Sequence, residues 1–216
     1  MKAFLERSNR FLDQTLGLGP RGLLVLAALL LLPSYFLPLW KLTMFAPQYP
    51  QGLVLEIYSY KLEGGNGGQD IKEINVLNHY IGMSELTTTD FTEFKWMPFV
   101  VGALALLFLR VPVHGKMSTL LDVFVLFLYF GVFSLWSFGY KLYRYGHDLA
   151  PTAAVKVDPF MPPFFGHKKI ANFEIYSYPG AGSYALGLAA VVLAAAFFWA
   201  WRQGRSRAMQ EMRAAA

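Results

Sequence analysis

The 216-residue chain has no cysteine, so disulfides, thiolate zinc sites, iron–sulfur clusters and thioether-linked haem are all excluded. Charge is scarce as well: 15% of residues are charged against 55% hydrophobic and 17% aromatic, the balance of a chain solvated by lipid. G-x-S-x-G, P-loop and H-E-x-x-H elements are absent, and no base, nucleophile and orienting group can be named together. The reading therefore leans away from an enzyme. The net charge of +5 does not point to nucleic acid, because the basic residues sit beside apolar runs rather than in a groove interleaved with exposed aromatics.

What is present is a set of apolar runs long enough for a bilayer core of roughly 30 Å. Residues 1–20 read as a cytoplasmic amphipathic helix on the membrane surface, with Phe4, Leu5, Phe11, Leu12 and Leu16 on one face and Lys2, Arg7 and Arg10 toward the other, ended by Gly17, Gly19 and Pro20. Spans are expected at 22–40, 97–113, 119–140 and 183–201, the last rich in Ala and Gly for close helix packing. The first lacks an A-x-A cleavage site and is expected to be an uncleaved anchor. Trp40, Trp96, Tyr140, Tyr184, Trp199 and Trp201 fall at the expected span ends, as an interfacial aromatic belt requires.

Basic residues concentrate in the short segments around Arg10, Arg21, Arg110, Lys116 and Arg202 to Arg213, which an even number of spans places on one side. By the positive-inside rule that side is cytoplasmic, as is the tail 202–216, and the loops 41–96 and 141–182 are extracytoplasmic. Each loop contains the string Glu-Ile-Tyr-Ser-Tyr, at Glu56 to Tyr60 and at Glu174 to Tyr178, with β-forming alternation. An aromatic-Lys-Leu triplet precedes each copy, at Trp40 to Leu42 and at Tyr140 to Leu142. The expected fold is thus an all-α membrane protein of two tandem helix–loop–helix units, with a small extracytoplasmic cap of short strands.

The densest chemical signal follows the first copy: a Gly-rich hairpin, GGNGG, and then DIKEINVLNHYIGMSEL. If residues 74–86 are helical, His79 and Met83 face the same way, and imidazole with thioether suits copper, above all Cu(I), and suits magnesium or calcium poorly. Met44, Met97, Met161, His147 and His167 are further soft donors in or beside the same loops. The competing reading makes these methionines packing residues and the histidines ordinary loop groups. Asn75 and Asn78 are candidates to cap a helix or orient a ligand. No His or Met pair falls in mid-membrane on facing helices, so no haem is expected. Asp122, the one acid inside a span, is read mainly as a helix-start cap or a partner of Lys116 or Arg110. Pro33 and Pro38 leave room for a bent first span lining a small polar cavity.

Two longer strings, APQYPQGL with INVLNHYIGM (Ala46 to Leu53, Ile74 to Met83) and PFMPPFFGHKKIANFEIYSYPGAG (Pro159 to Gly182), resemble the small multispan membrane proteins encoded beside nitrous oxide reductase and its maturation genes in respiring bacteria. The resemblance implies a bacterial cytoplasmic membrane location and an accessory role for a periplasmic copper enzyme, either handling copper or docking the enzyme, its maturation partners or its electron donors. On that implication His79 and Met83 are the first residues to test and His167 a weaker one. Asn78, Tyr80, Glu56, Tyr58, Glu174 and Tyr176 are then the expected partner contacts. The alternative is a transport or quinone-linked electron-transfer subunit.

Overall fold

A computed structural model describes residues 9–170 and 172–214. Four helices are long and apolar enough to cross a membrane: Leu18–Tyr35, Glu93–His114, Met117–His147 and Ala181–Arg207. Contacts divide the chain into two units. One comprises the described residues up to Leu32, Phe99–Gly131 and those from Ala185 on; the other comprises Pro33–Pro98 and Val132–Tyr184.

The first unit packs apolar stripes at helical spacing. Helix α1 (Leu18–Leu31) buries Leu24, Ala27, Ala28 and Leu31. In the chain's third and fourth spans the buried positions include Leu120, Val123 and Phe127, and then Ala189, Leu193, Ala196 and Ala200. The alanines carry no bulk, so backbones approach closely, which replaces the hydrophobic drive that lipid does not supply. Phe124 and Phe197 stack at 4.8 Å between ring centres. Leu18 opens α1, so Gly19 and Pro20 do not terminate a preceding helix as expected. A proline in the first helical turn sacrifices only an N–H that has no intrahelical acceptor. The first eight residues of the expected amphipathic helix lie outside the described residues.

The second unit corrects the expected fold class. It holds a five-stranded antiparallel sheet in the order β3-β2-β1-β5-β4, built from β1 (Trp40–Ala46), β2 (Tyr49–Ile57), β3 (Leu62–Gly64), β4 (Gly166–Ile170) and β5 (Phe173–Pro179). The protein is therefore not all-α with a small cap. After α1 a 3-10 turn, Leu32–Tyr35, ends the span, and Trp40 begins β1 instead of closing a helix. Pro33 and Pro38 supply no N–H to continue the helical ladder. The Trp40 indole N–H donates to Ser177 Oγ at 2.8 Å and the ring packs against Phe138 and Phe164. Trp40 is thus a buried sheet residue and not an interfacial anchor.

The sheet is amphipathic by its period of two. One face presents Leu42 and Met44 of β1, Leu53, Leu55 and Ile57 of β2, and Ile175 of β5. Helix α2 (Gln69–Tyr80) packs Ile74 and Leu77 into the same apolar core. Helix α3 (Glu93–His114) and helix α4 (Met117–His147) follow, then α5 (Ala181–Ala214). At 31 residues α4 is about 46 Å long, beyond the bilayer core of roughly 30 Å. Its C-terminal part supplies Phe138, Leu142 and Tyr145 to the wall opposite the sheet.

Both Glu-Ile-Tyr-Ser-Tyr strings belong to this sheet, on either side of β1. Only Glu56 and Ile57 of the first remain in β2, whereas the second lies wholly in β5. Each glutamate is cross-strand from a lysine of its own hairpin, Lys41 for Glu56 and Lys169 for Glu174. The triplets do not correspond: Trp40 to Leu42 is strand and Tyr140 to Leu142 is helix.

Candidate functional sites

The sequence N-H-Y-I-G-M forms the end of α2. Gly82 has φ +81, the amide of Gly82 donates to His79 O at 3.2 Å and that of Met83 to Asn78 O at 2.8 Å. These are the two hydrogen bonds of a Schellman turn, which satisfies carbonyls left over at a helix end. Ala150 N–H and Val155 N–H then donate to Gly82 O and Tyr80 O at 2.8 and 3.0 Å, strapping the turn to the second loop. Because the helix stops at Tyr80, the i, i+4 spacing no longer aligns His79 with Met83. His79 and Tyr80 are exposed, while Met83 is half-buried and lines a cavity.

That cavity, about 90 Å³, lies between the apolar sheet face, α2 and the end of α4. Of the proposed soft donors it receives Met44 and Met83. The others are placed elsewhere. His147 lies on Tyr143 at 3.9 Å between ring centres with its Nδ1 2.9 Å from Tyr143 O. His167 is exposed and stacks on Tyr176. Met97 and Met161 are half-buried and line no part of the cavity. Among the described residues no group of three or more His, Asp or Glu comes together to hold a metal. Of the expected soft donors, Met44 and Met83 are the two that share the cavity wall.

Three side chains on the cavity wall carry polar groups: Asn78, Lys141 and Tyr145. Two are engaged at their tips. Lys141 Nζ donates to Asp90 O at 2.7 Å and lies 4.0 Å from Glu93, and Tyr145 O–H donates to Glu85 O at 3.3 Å. Ser137 Oγ donates to Glu93 at 2.6 Å. This cluster ties the end of α4 to residues 85–93, and the sequence reading missed it because partners 44 to 60 positions apart leave no local pattern. Asn75 is also structural: its amide exchanges two hydrogen bonds with the backbone of Leu86.

No family model, curated protein or solved structure matches this chain.

The opposite sheet face is open. It carries Lys41, Thr43, Phe45, Glu56, Glu174, Tyr176, Tyr178, His167 and Lys169. Lys41 and Glu56 approach to 3.8 Å, Phe45 meets Tyr176 edge-to-face at 5.6 Å, and Tyr178 is 42% exposed. Four of the six expected partner contacts gather at or beside this face: Glu56, Glu174, Tyr176 and, just past the end of β2, Tyr58. The Tyr58 hydroxyl donates to Glu56 at 3.1 Å, and partial burial followed by that carboxylate raises its pKa. Asn78 and Tyr80 are not on this face, since α2 covers the other.

Asp122 is exposed on α4, beside Arg110 and Thr119 in a shallow depression of about 100 Å³. Its expected partner Lys116 pairs with Asp13 instead, at 3.0 Å, and Thr119 caps Lys116 O.

Proposed function

We propose that the protein is a membrane-anchored accessory subunit whose open sheet face docks a periplasmic copper enzyme of the nitrous oxide reductase type, or that enzyme's maturation partner. The observation that carries this reading is the chemistry of that face. Phe45 and His167 pack on Tyr176, Tyr178 lies on the same face, and Lys41, Glu56, Glu174 and Lys169 flank them. Such a mixture of rigid aromatics with a charged rim is what protein interfaces enrich. The resemblance of the two loops supplies the partner class, and the positive-inside bias supplies the periplasmic side. Copper handling by this chain itself is the narrower form of the proposal. Its available soft pair is Met44 with Met83, and copper bound by the wild type but not by a Met44→Leu, Met83→Leu variant supports it.

Docking is tested with the purified copper enzyme and a photo-crosslinking residue at Tyr178. A crosslink to the enzyme is expected, reduced about tenfold by Tyr176→Arg with His167→Ala at unchanged abundance. Adducts with lipid alone, or a crosslink indifferent to these substitutions, rule the docking face out.

A further inference from the structure

The two outer strands of the sheet, β3 and β4, are finished differently. After β3 the chain turns straight into α2. Gly65 N–H donates to Val54 O at 2.9 Å, and a Cβ on Gly64 would lie 2.6 Å from the Ile71 amide nitrogen, so the helix is seated against that strand. Covering an edge with a helix keeps its unpaired strand groups from other chains.

β4 has no such cover. In an antiparallel ladder alternate residues of an outer strand turn their N–H and C=O groups away from the neighbour, so roughly half of Gly166–Ile170 holds groups that β5 does not pair. Among the described residues, no hydrogen bond outside the ladder uses a backbone group of β4. His167, Lys168 and Lys169 are exposed in succession, where a strand packed in the middle of a half-covered sheet would alternate. Exposed strand groups of this kind are held by water until another strand is offered.

The geometry points to β4 as the acceptor of a sixth strand, supplied by an extended acidic segment of another protein. Backbone bonds give such an added strand its affinity, and its alternate side chains give the specificity. Charge selects the occupant here. Among the described residues, neither Lys168 nor Lys169 takes part in an ion pair, although Glu174 stands opposite Lys169 in the ladder. Carboxylates on the added strand would lie beside His167 and Lys169 on the open face, and its intervening side chains beside Ile170 on the other. A second copy of this chain is the wrong occupant. Two β4 strands paired antiparallel about Lys168 would set the two Lys168 side chains against each other, and like charges directly opposite destabilise a ladder. Five residues span about 17 Å, so a short segment suffices. The inference does not rest on the docking face: its bonds run in the plane of the sheet, and no copper enzyme enters the argument or the test.

The full chain in nanodiscs is titrated with a blocked heptapeptide of alternating Glu and Val and with its Lys-Val counterpart. The acidic peptide should slow hydrogen exchange at alternate amides of β4 and leave those of β3 unchanged, a readout that needs no variant. N-methylation of one alternate set of the peptide's amides should weaken binding about tenfold, whereas the other set, which faces water, should tolerate it. Lys169→Glu, at an exposed side chain, should reverse the preference between the two peptides. Binding indifferent to which set is methylated would reduce β4 to a charged patch and overturn strand addition. Unchanged exchange in β4 at millimolar acidic peptide, or an unreversed preference in Lys169→Glu, overturns it as well. Protection of β4 that rises with protein concentration in the absence of peptide would make a second copy the occupant and sink the acidic segment.

Discussion

Asp70 shows how one buried carboxylate holds a helix to a sheet. It is 3% exposed in the first turn of α2, where a negative charge is favoured by the helix dipole. One oxygen accepts from Val54 N–H at 2.8 Å and the other from the Asn66 amide at 2.7 Å. Replacing it with alanine leaves a strand N–H and a side-chain amide unpaired, and should cost about 2–3 kcal/mol. Thermal unfolding of the purified protein checks this, and a change in midpoint within error would show that water replaces the carboxylate freely. Three residues on, Glu73 accepts hydrogen bonds from the Tyr49 hydroxyl and from Gln69, which hold its carboxyl below the usual range, Tyr49 more than Gln69. A carboxyl depressed in the folded state contributes stability above its unfolded pKa, near 4.3, and loses that contribution as pH falls through the lower folded value. The advantage of wild type over Glu73→Gln should therefore be present at pH 7 and shrink below about pH 4. A difference independent of pH over that interval would assign the effect to packing.

At the scale of elements, the turn that ends α2 carries the sharpest prediction. Gly82 at φ +81 would strain any L side chain by about 1–2 kcal/mol, and a Cβ there would lie 2.9 Å from Ala150 O. Gly82→Ala should loosen the strap, seen as faster hydrogen exchange at Ala150 and Val155 while the amides of β1 remain protected. Equal acceleration throughout the sheet would show that the turn is part of one cooperative unit. The same turn explains what the sequence could and could not reveal. Long apolar helices announce themselves through composition, so four spans were legible, although the first ends at Tyr35 rather than Trp40, where Pro33 interrupts it, and the third and fourth run on to His147 and Arg207. The sheet was legible only in its repeated string. β1 reads W-K-L-T-M-F-A, directly after an apolar span, and its partners β2 and β5 come from loops more than a hundred residues apart. The helical i, i+4 alignment expected of His79 and Met83 does not hold, because the helix ends at Tyr80 and Gly82 turns the chain between them. The cavity was not legible at all, since its wall is drawn from both loops and the end of α4.

For the whole chain, the sheet constrains one part of the topology, and charge supplies only an expectation for the other. β1 lies between the first two spans and β5 between the last two, and their pairing requires both loops to be on the same side of the membrane. Which side is an expectation from charge: the short segments carrying Arg10, Arg21, Arg110, Lys116, Arg202, Arg205 and Arg207 are expected to be cytoplasmic by the positive-inside rule. The natural lack of cysteine makes the test direct, because any single introduced thiol is the only one present. Gln69 and Ala154 are exposed in the two loops and Ser206 is exposed in the final helix. In intact cells with a permeabilised outer membrane, a membrane-impermeant maleimide should label Gln69→Cys and Ala154→Cys, and label Ser206→Cys only after the inner membrane is opened. The two loop positions must behave alike, since β1 and β5 share a sheet. If both were protected and Ser206→Cys labelled, the sheet would stand and the orientation would invert, and with it the periplasmic partner class would fail. Opposite labelling of Gln69→Cys and Ala154→Cys would instead break the sheet itself, because no antiparallel ladder can be formed across a bilayer from strands on its two sides.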